Sequence, residues 1–281
     1  MKKTAFSVHT DGFTGTLFCP ENHDDRAVIV LQGLKGLELP EKYAQLFAQK
    51  GYSALAMTYY GAEGLPKKMG AMPLDMFESA VKKLRESGFK RIGIYGNSKG
   101  AGMALLAAAY VPEISLVIAA SPFGHIFQGS GKNVCRSMVK FHEKELPYVS
   151  NKGLFVGFCK RCIRERGIKL LYLFDEWESM GSSDNEIPVE RINGSILFLT
   201  STHDDSVPAK KNAEQMIGRL ERLGFKHKYR HINFETGSHN LGIFPVNNNL
   251  LAWEKKHPAE CDAARKKALN IILRTLDKWD V

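Results

Sequence analysis

Residues 93–102 read GIYGNSKGAG. Ser98 stands two residues from a glycine on either side, directly after the apolar run RIGIY and directly before the run KGAGMALLAAAY. A chain that passes from a strand into a helix without a loop must turn sharply, and the residue at the turn is lifted above the sheet edge. Strand and helix nearly touch there, so the positions two before and two after have room only for a small residue. Gly96 and Gly100 meet that need, and Gly96-Asn97-Ser98-Lys99-Gly100 reads as a G-x-S-x-G turn. The pattern is short enough to occur by chance. Its place between a strand and an immediate helix is what gives it weight.

On both sides of this turn the chain alternates strand and helix. Short apolar runs RAVIVLQG, YSALAMTYYG, KRIGIYGN, ISLVIAASP, SILFLTSTHDD and KHKYRHINF read as strands. Between them lie helical patterns. ELPEKYAQLFAQKG puts Tyr43, Leu46 and Phe47 on one side, and PLDMFESAVKKLRESG puts Leu74, Phe77, Val81 and Leu84 on one face. AKKNAEQMIGRLERLG is a further helix. The chain ends in a long one whose buried side can carry Ala264, Ala268, Ile271, Ile272, Leu276 and Trp279. Residues 1–25 read as a hairpin, TAFSVHT and FTGTLFCP about a DG turn. Continuous apolar strands in strict alternation with helices imply an α/β fold with a mostly parallel sheet covered on both faces. Between residues 122 and 190 the alternation breaks, and glycine, charge and aromatics mix without sustained periodicity. This stretch is expected to be a lid-like insertion above the sheet, within a single domain spanning 1–281.

Composition narrows the classes. The 281 residues suffice for a large core, and 44% hydrophobic with 25% charged residues excludes a disordered or fibrous chain. Apolar runs such as SLVIAA are too short to span a bilayer, and MKKTAFSVHTDG lacks the apolar stretch of a signal peptide. Five cysteines, an odd number, predict free thiols and a reducing cytoplasm. A net charge of +9 favours an anionic small substrate or a diffuse basic surface. With no zinc finger and no aromatic-basic module, nucleic acid is not the expected partner.

A serine hydroxyl is a weak nucleophile at neutral pH and needs a histidine base, itself oriented by an acid. In this architecture the acid comes next and the histidine last, each in a loop after a strand. THDDSVP follows SILFLT and offers Asp204 and Asp205. Asp204, three residues before Val207, is the expected acid. Asp205 is the alternative, and it is closer to the helix starting near Pro208, which it is expected to cap. Of nine histidines, His239 alone lies in a late glycine-polar loop directly after a strand, ETGSHNLG. His203 can shape the pocket beside the acid, His231 lies in a strand pattern, and His125 can line the mouth of the site. An oxyanion hole needs two backbone N–H groups. One is expected from Lys99, at a helix start, and the other from the loop Gln32-Gly33-Leu34-Lys35-Gly36, with Leu34 preferred to Gly33.

Other chemistries fit less well. Cys159 and Cys162 form C-x-x-C inside the irregular insertion, with no second pair for zinc. GNSKGAG has its lysine in the wrong order for a phosphate loop, and no H-E-x-x-H is present. No metal and no cofactor are expected. A hydrolase-like shell serving only as a binding module is the non-enzymatic alternative. The intact order of serine, acid and histidine argues against it.

These stretches carry a family resemblance. LFAQKGYSALAMTYYGAEGLPKKMGAMPLDMFESAVKKL, IGIYGNSKGAGMALLAA, THDDSVPA and GSHN resemble the catalytic domain of the bile acid-CoA:amino acid N-acyltransferase and acyl-CoA thioesterase family. That domain belongs to the α/β-hydrolases, near their dienelactone-hydrolase-like members. The resemblance implies a nucleophile that takes an acyl group from coenzyme A. Ser98 stands at the nucleophile position, where serine implies hydrolysis and cysteine amidation, and Asp204 and His239 match the acid and base. Two departures are visible. Gly102 stands where the family often has glutamate, and only residues 1–25 occupy the place of the family's preceding β-rich domain. The expected function is therefore acyl-CoA thioesterase by a Ser-His-Asp acyl-enzyme. A carboxylic ester hydrolase and an acyltransferase using the same acyl-enzyme are the alternatives. Within the insertion, Lys160, Arg161, Arg164 and Arg166 could meet coenzyme A phosphates or form a solvated lid surface. Phe127, Phe158 and Trp177 could set acyl size. The protein is expected to be a monomer or homodimer.

Overall fold

Strands such as RAVIVL and SALAMT have no polar face to turn to water and must be covered on both sides. In the computed structural model, which describes residues 1–130, 135–242, 244 and 251–279, eleven strands are β1 (Lys2–Phe6), β2 (Thr14–Cys19), β3 (Arg26–Leu31), β4 (Ser53–Thr58), β5 (Met72–Pro73), β6 (Arg91–Asn97), β7 (Ile114–Ala120), β8 (Val139–Phe141), β9 (Lys144–Glu145), β10 (Ser195–Ser201) and β11 (Tyr229–Phe234). Eight of them form one sheet in the order β1-β2-β4-β3-β6-β7-β10-β11. From β4 to β11 every pairing is parallel, while β2 and β1 run antiparallel at one edge.

Two apolar cores lie on the two faces. One is built from the helices Asp75–Glu86, Lys99–Tyr110 and Ala209–Arg222, with Phe77, Leu105 and Ala213 buried. The other takes Tyr43 and Phe47 from the helix Glu38–Gln49, and Ala264, Ala268, Ile272 and Leu276 from the helix Pro258–Asp277. The helix after Ser98 is buried along almost its whole length, as its alanine-rich sequence implies. No described helix is long and apolar enough to cross a membrane.

Two local expectations change. β1 and β2 pair as a hairpin would, from Lys2↔Cys19 to Phe6↔Gly15, but a short helix, Val8–Asp11, replaces the two-residue turn. Ser7 accepts from the His9 N–H, and the Asp11 carboxylate accepts from the Ser7 N–H and the Thr10 hydroxyl, so local side chains close a helical turn there. Residues 122–190 are also more regular than their sequence suggests. They contain helices Leu154–Arg164 and Leu170–Ser179, and β8 and β9, which join β5 in a small three-stranded sheet. Gly157, an apparent irregularity, sits where any side chain would overlap the Glu176 carboxylate of the second helix. The glycine leaves room for that side chain between the two helices. Cys159 and Cys162 lie on the first of these helices, and all five cysteines are free.

Candidate functional site

The carboxyl ends of the parallel strands converge on one place, the general site for ligands in open α/β sheets. Ser98 is the single residue between β6 and the helix Lys99–Tyr110. Its φ of 57° and ψ of −124° are unfavourable for a residue with a Cβ. The strain is held by the Ser98 N–H, which donates to the Ala120 carbonyl at 2.8 Å, and by close packing of the turn. A Cβ on Gly96 would overlap the Gly100 carbonyl, and one on Gly100 would lie 2.9 Å from the Gln32 nitrogen of β3's end. Both glycines are thus demanded by neighbouring backbone.

His239 arrives in the loop after β11. Its Nε2 lies 2.9 Å from Ser98 Oγ, and its Nδ1 lies 2.9 Å from each Asp204 oxygen. An ionised carboxylate only accepts, so Nδ1 carries a proton and donates to Asp204. In the neutral ring, Nε2 is then the acceptor facing the Ser98 hydroxyl. Burial pushes the imidazole toward neutrality, but the Asp204 charge and hydrogen bond outweigh it and raise the His239 pKa above 6.5. Two hydroxyls fix the loop: Ser121, directly after β7, donates to the His239 carbonyl at 2.8 Å, and Ser201 donates to the Gly237 carbonyl.

Asp204 and Asp205 are sorted by their surroundings. Asp204 Oδ1 also accepts the N–H groups of Ser206 at 3.0 Å and Val207 at 2.8 Å. Asp205 turns away. Its Oδ2 accepts the Trp253 N–H at 3.0 Å, its Oδ1 is buried without a partner, and burial pushes its carboxyl pKa up. The expected helix cap does not form: no side chain caps the helix Ala209–Arg222, and Asp204 satisfies the turn ahead of it instead.

The oxyanion candidates lie together. A Cβ on Gly33 would come within 3.3 Å of the Lys99 nitrogen. Tyr59 and Tyr60 hydroxyls donate to the Gln32 and Gly33 carbonyls at 2.7 and 3.1 Å. In a trans peptide this turns the N–H groups of Gly33 and Leu34 the opposite way. Gly33, Leu34, Ser98, Lys99 and His239 line one cavity of 320 Å³.

Two further cavities adjoin it. A more enclosed one of 200 Å³, sharing Lys99, Phe123 and Phe174, is lined mainly by apolar side chains such as Met103, Leu106, Phe127 and Trp177. An open cleft of 560 Å³ shares Leu170 with the serine cavity and carries Trp253, Lys169 and Lys256. Trp253 stacks against His203 at 3.5 Å and His257 at 3.8 Å between ring centroids. His125 borders the apolar cavity, with Nδ1 2.5 Å from buried Glu178 Oε2. His231 does not line the serine cavity and shares a hydrogen bond with Thr200. Among the proposed basic contacts, Lys160, Arg161, Arg164 and Arg166 line none of these three cavities. Arg161 pairs with Asp175 at 2.5 Å and covers Tyr172, bracing the two helices of the insertion, and Arg164 pairs with Glu165. The cleft lysines, Lys169 and Lys256, carry no signal in the sequence because they meet only through folding. Ser121, after a strand end as the other site residues are, could have been found. Phe158 lines the cleft, not the apolar cavity. Asp75, Glu78 and His142 bring potential metal-ligating atoms within 4.8 Å of one another, but none lines these cavities.

The chain matches the family described as "BAAT / Acyl-CoA thioester hydrolase C terminal" over residues 72–251. It is 26% identical over 252 residues to the bile acid-CoA:amino acid N-acyltransferase of Homo sapiens, covering 84% of this chain and 54% of that protein. It is 29% identical over 231 residues to acyl-coenzyme A thioesterase 1 of Mus musculus, covering 80% and 51%. The chain spans about half the length of the curated relatives it matches. Among solved structures, a putative dienelactone hydrolase from Klebsiella pneumoniae aligns with TM-score 0.59 at 15% identity, covering 99% of each chain. The Pyrococcus horikoshii acylaminoacyl peptidase aligns with TM-score 0.57 at 15% identity, covering 95% of this chain and 40% of that one. At these identities the likeness carries the fold alone, that of the α/β-hydrolases.

Proposed function

Because the chain belongs to the BAAT / acyl-CoA thioester hydrolase C-terminal family, we propose that it is a serine hydrolase acting on acyl thioesters of coenzyme A. The observation that carries this reading is the continuous hydrogen-bonded run from Ser98 through His239 to Asp204 in the wall of a cavity.

His239 Nε2 takes the Ser98 proton as Oγ attacks the thioester carbonyl. The carbonyl oxygen becomes an oxyanion held by the N–H of Lys99 and that of Leu34, or Gly33. The C–S bond then breaks, the thiolate takes the proton from His239, and the acyl group remains on Ser98. Water, deprotonated by His239, attacks the acyl-enzyme. Collapse of the second oxyanion releases the acid and returns the proton to Ser98. The apolar cavity takes the acyl chain. The open cleft, with Lys169 and Lys256, takes the coenzyme A portion. The insertion of residues 122–190 acts as the lid, through Leu170 and Phe174 over the serine cavity.

The test is kcat/KM on a medium-chain acyl-CoA and on the p-nitrophenyl ester of the same acid, with S98A alongside. The reading expects the thioester to be preferred and both signals to vanish in S98A. Turnover surviving in S98A overturns the assignment of Ser98, and turnover of the aryl ester alone overturns the thioester. Salt supplies a separate check. If Lys169 and Lys256 meet phosphates, KM for acyl-CoA rises with ionic strength while KM for the aryl ester does not.

A further inference from the structure

Among the described residues, Lys99 is a cation without an anion. Its ammonium makes no ion pair or hydrogen bond with any described residue. Lys99 borders both the serine cavity and the apolar cavity, and neither lining includes an aspartate or glutamate among the described residues. Glu178, the partner of the lining residue His125, is already committed to His125, to the Gly124 N–H at 2.9 Å and to Asn212 Nδ2 at 2.8 Å, and Glu186 pairs with Arg219. Among the described residues, the lining of this apolar space thus includes a lysine with no ionic partner and no carboxylate. A partly buried ammonium with no counter-charge is unfavourable, and burial indeed lowers its pKa. A stem in this position can snorkel to open water, yet Lys99 is half-buried and borders both cavities.

We infer that the acyl group carries a carboxylate at its far end, which pairs with Lys99 beyond Ser98. This rests on the acyl-transfer reading of Ser98 and names the substrate class that reading leaves open. An extended lysine places its ammonium about 6 Å from its own Cα, and Lys99 is bonded directly to Ser98. The chain between the two acyl ends is therefore short, as in a succinyl, glutaryl or adipoyl group. Gly102 lies one turn on and borders the same cavity. A Cβ there meets only Phe123 at 3.6 Å and Ile187 at 3.8 Å, so a glutamate at 102 would reach the space the substrate carboxylate is meant to fill.

The experiment compares kcat/KM for succinyl-, glutaryl- and adipoyl-CoA with butanoyl-, pentanoyl- and hexanoyl-CoA in the wild type, K99M, K99R and G102E. The Lys99 backbone N–H serves every substrate equally, so the ratio of charged to neutral acyl group reads the side chain. At least one diacid thioester should exceed its neutral counterpart tenfold in the wild type. K99M and G102E should lower that ratio at least tenfold, about 1.4 kcal/mol, while K99R keeps it. Calorimetric binding of succinate, glutarate and adipate to S98A and S98A/K99M separates this inference from the reading it rests on. A diacid that binds S98A but not S98A/K99M supports the carboxylate site even if no thioester is hydrolysed. If neutral thioesters turn over, the ratio is the same in the wild type and K99M, and no diacid binding depends on Lys99, the inference is overturned and the hydrolase reading stands.

Discussion

Replacing Asp204 by asparagine tests the site at its least replaceable point. In the wild type, Oδ1 of Asp204 accepts from the N–H groups of Ser206 and Val207, and the carboxylate also accepts from His239 Nδ1. The asparagine oxygen can keep the two backbone bonds, so the loop and the fold should survive. Its NH₂ then faces His239. Two donors cannot share one bond, so the imidazole proton is driven to Nε2, where it faces Ser98 and can no longer accept the serine proton. Activity should fall by about 10³–10⁴, or roughly 4–5.5 kcal/mol in the barrier.

The pH profile carries a second signature. His239 must be neutral to act as base, and Asp204 raises its pKa above 6.5, so the acid limb of kcat/KM should lie above that value. In D204N the attraction is gone while burial remains, and the limb should move to lower pH. Stability follows the same linkage. Because the folded-state pKa is raised, the Asp204–His239 attraction contributes fully below the unfolded histidine value and fades as pH rises through the folded one. D205N is the control. Asp205 is a half-buried carboxyl of raised pKa, so neutralising it should leave stability at neutral pH equal or higher and alter kcat/KM by less than tenfold. Assays from pH 5 to 9, with thermal melts of each variant, decide the matter. A folded D204N within tenfold of wild type, or a collapse in D205N alone, would refute the assignment of the acid.

Three other outcomes are expected. S121A removes the hydroxyl that holds the His239 carbonyl, and the loss of one hydrogen bond, about 1 kcal/mol, should lower kcat/KM roughly fivefold without displacing the pH limb. G96A forces a methyl into the Gly100 carbonyl, and thermal or urea unfolding should show a loss of about 1–3 kcal/mol or more, because neither backbone can yield. G102L fills part of the apolar cavity, so a series of acyl-CoA lengths should show the longest chains losing kcat/KM relative to the shortest.

Much of the site was legible because its parts obey local rules. Gly96 and Gly100 are set by backbone contact at a turn that takes only five residues to write. His239 and Asp204 stand in loops directly after apolar strands, and an α/β chain brings successive strand ends to one edge. The hairpin and the insertion were less legible for opposite reasons. In the first, the side chains of Ser7, Thr10 and Asp11 close a helical turn that the Asp-Gly pair does not announce. In the second, Gly157 looks like a break until the neighbouring helix, whose Glu176 lies against it, is known. The basic cluster misled for a third reason: charge density along a sequence does not say whether Asp175 will later neutralise Arg161.

By itself the sequence determined the strand–helix alternation, the turn at Ser98, and the order of serine, acid and histidine, because periodicity and turn chemistry act between residues a few positions apart. Only the tertiary structure decided which of two adjacent aspartates reaches His239, since a single residue step along the loop points their carboxylates in different directions. It alone placed Lys169 and Lys256 in the open cleft and left Lys99 without an ionic partner among the described residues, beside two cavities. Those are facts about neighbours more than a hundred residues apart in some cases, and the energy of a charge depends on what folding sets beside it.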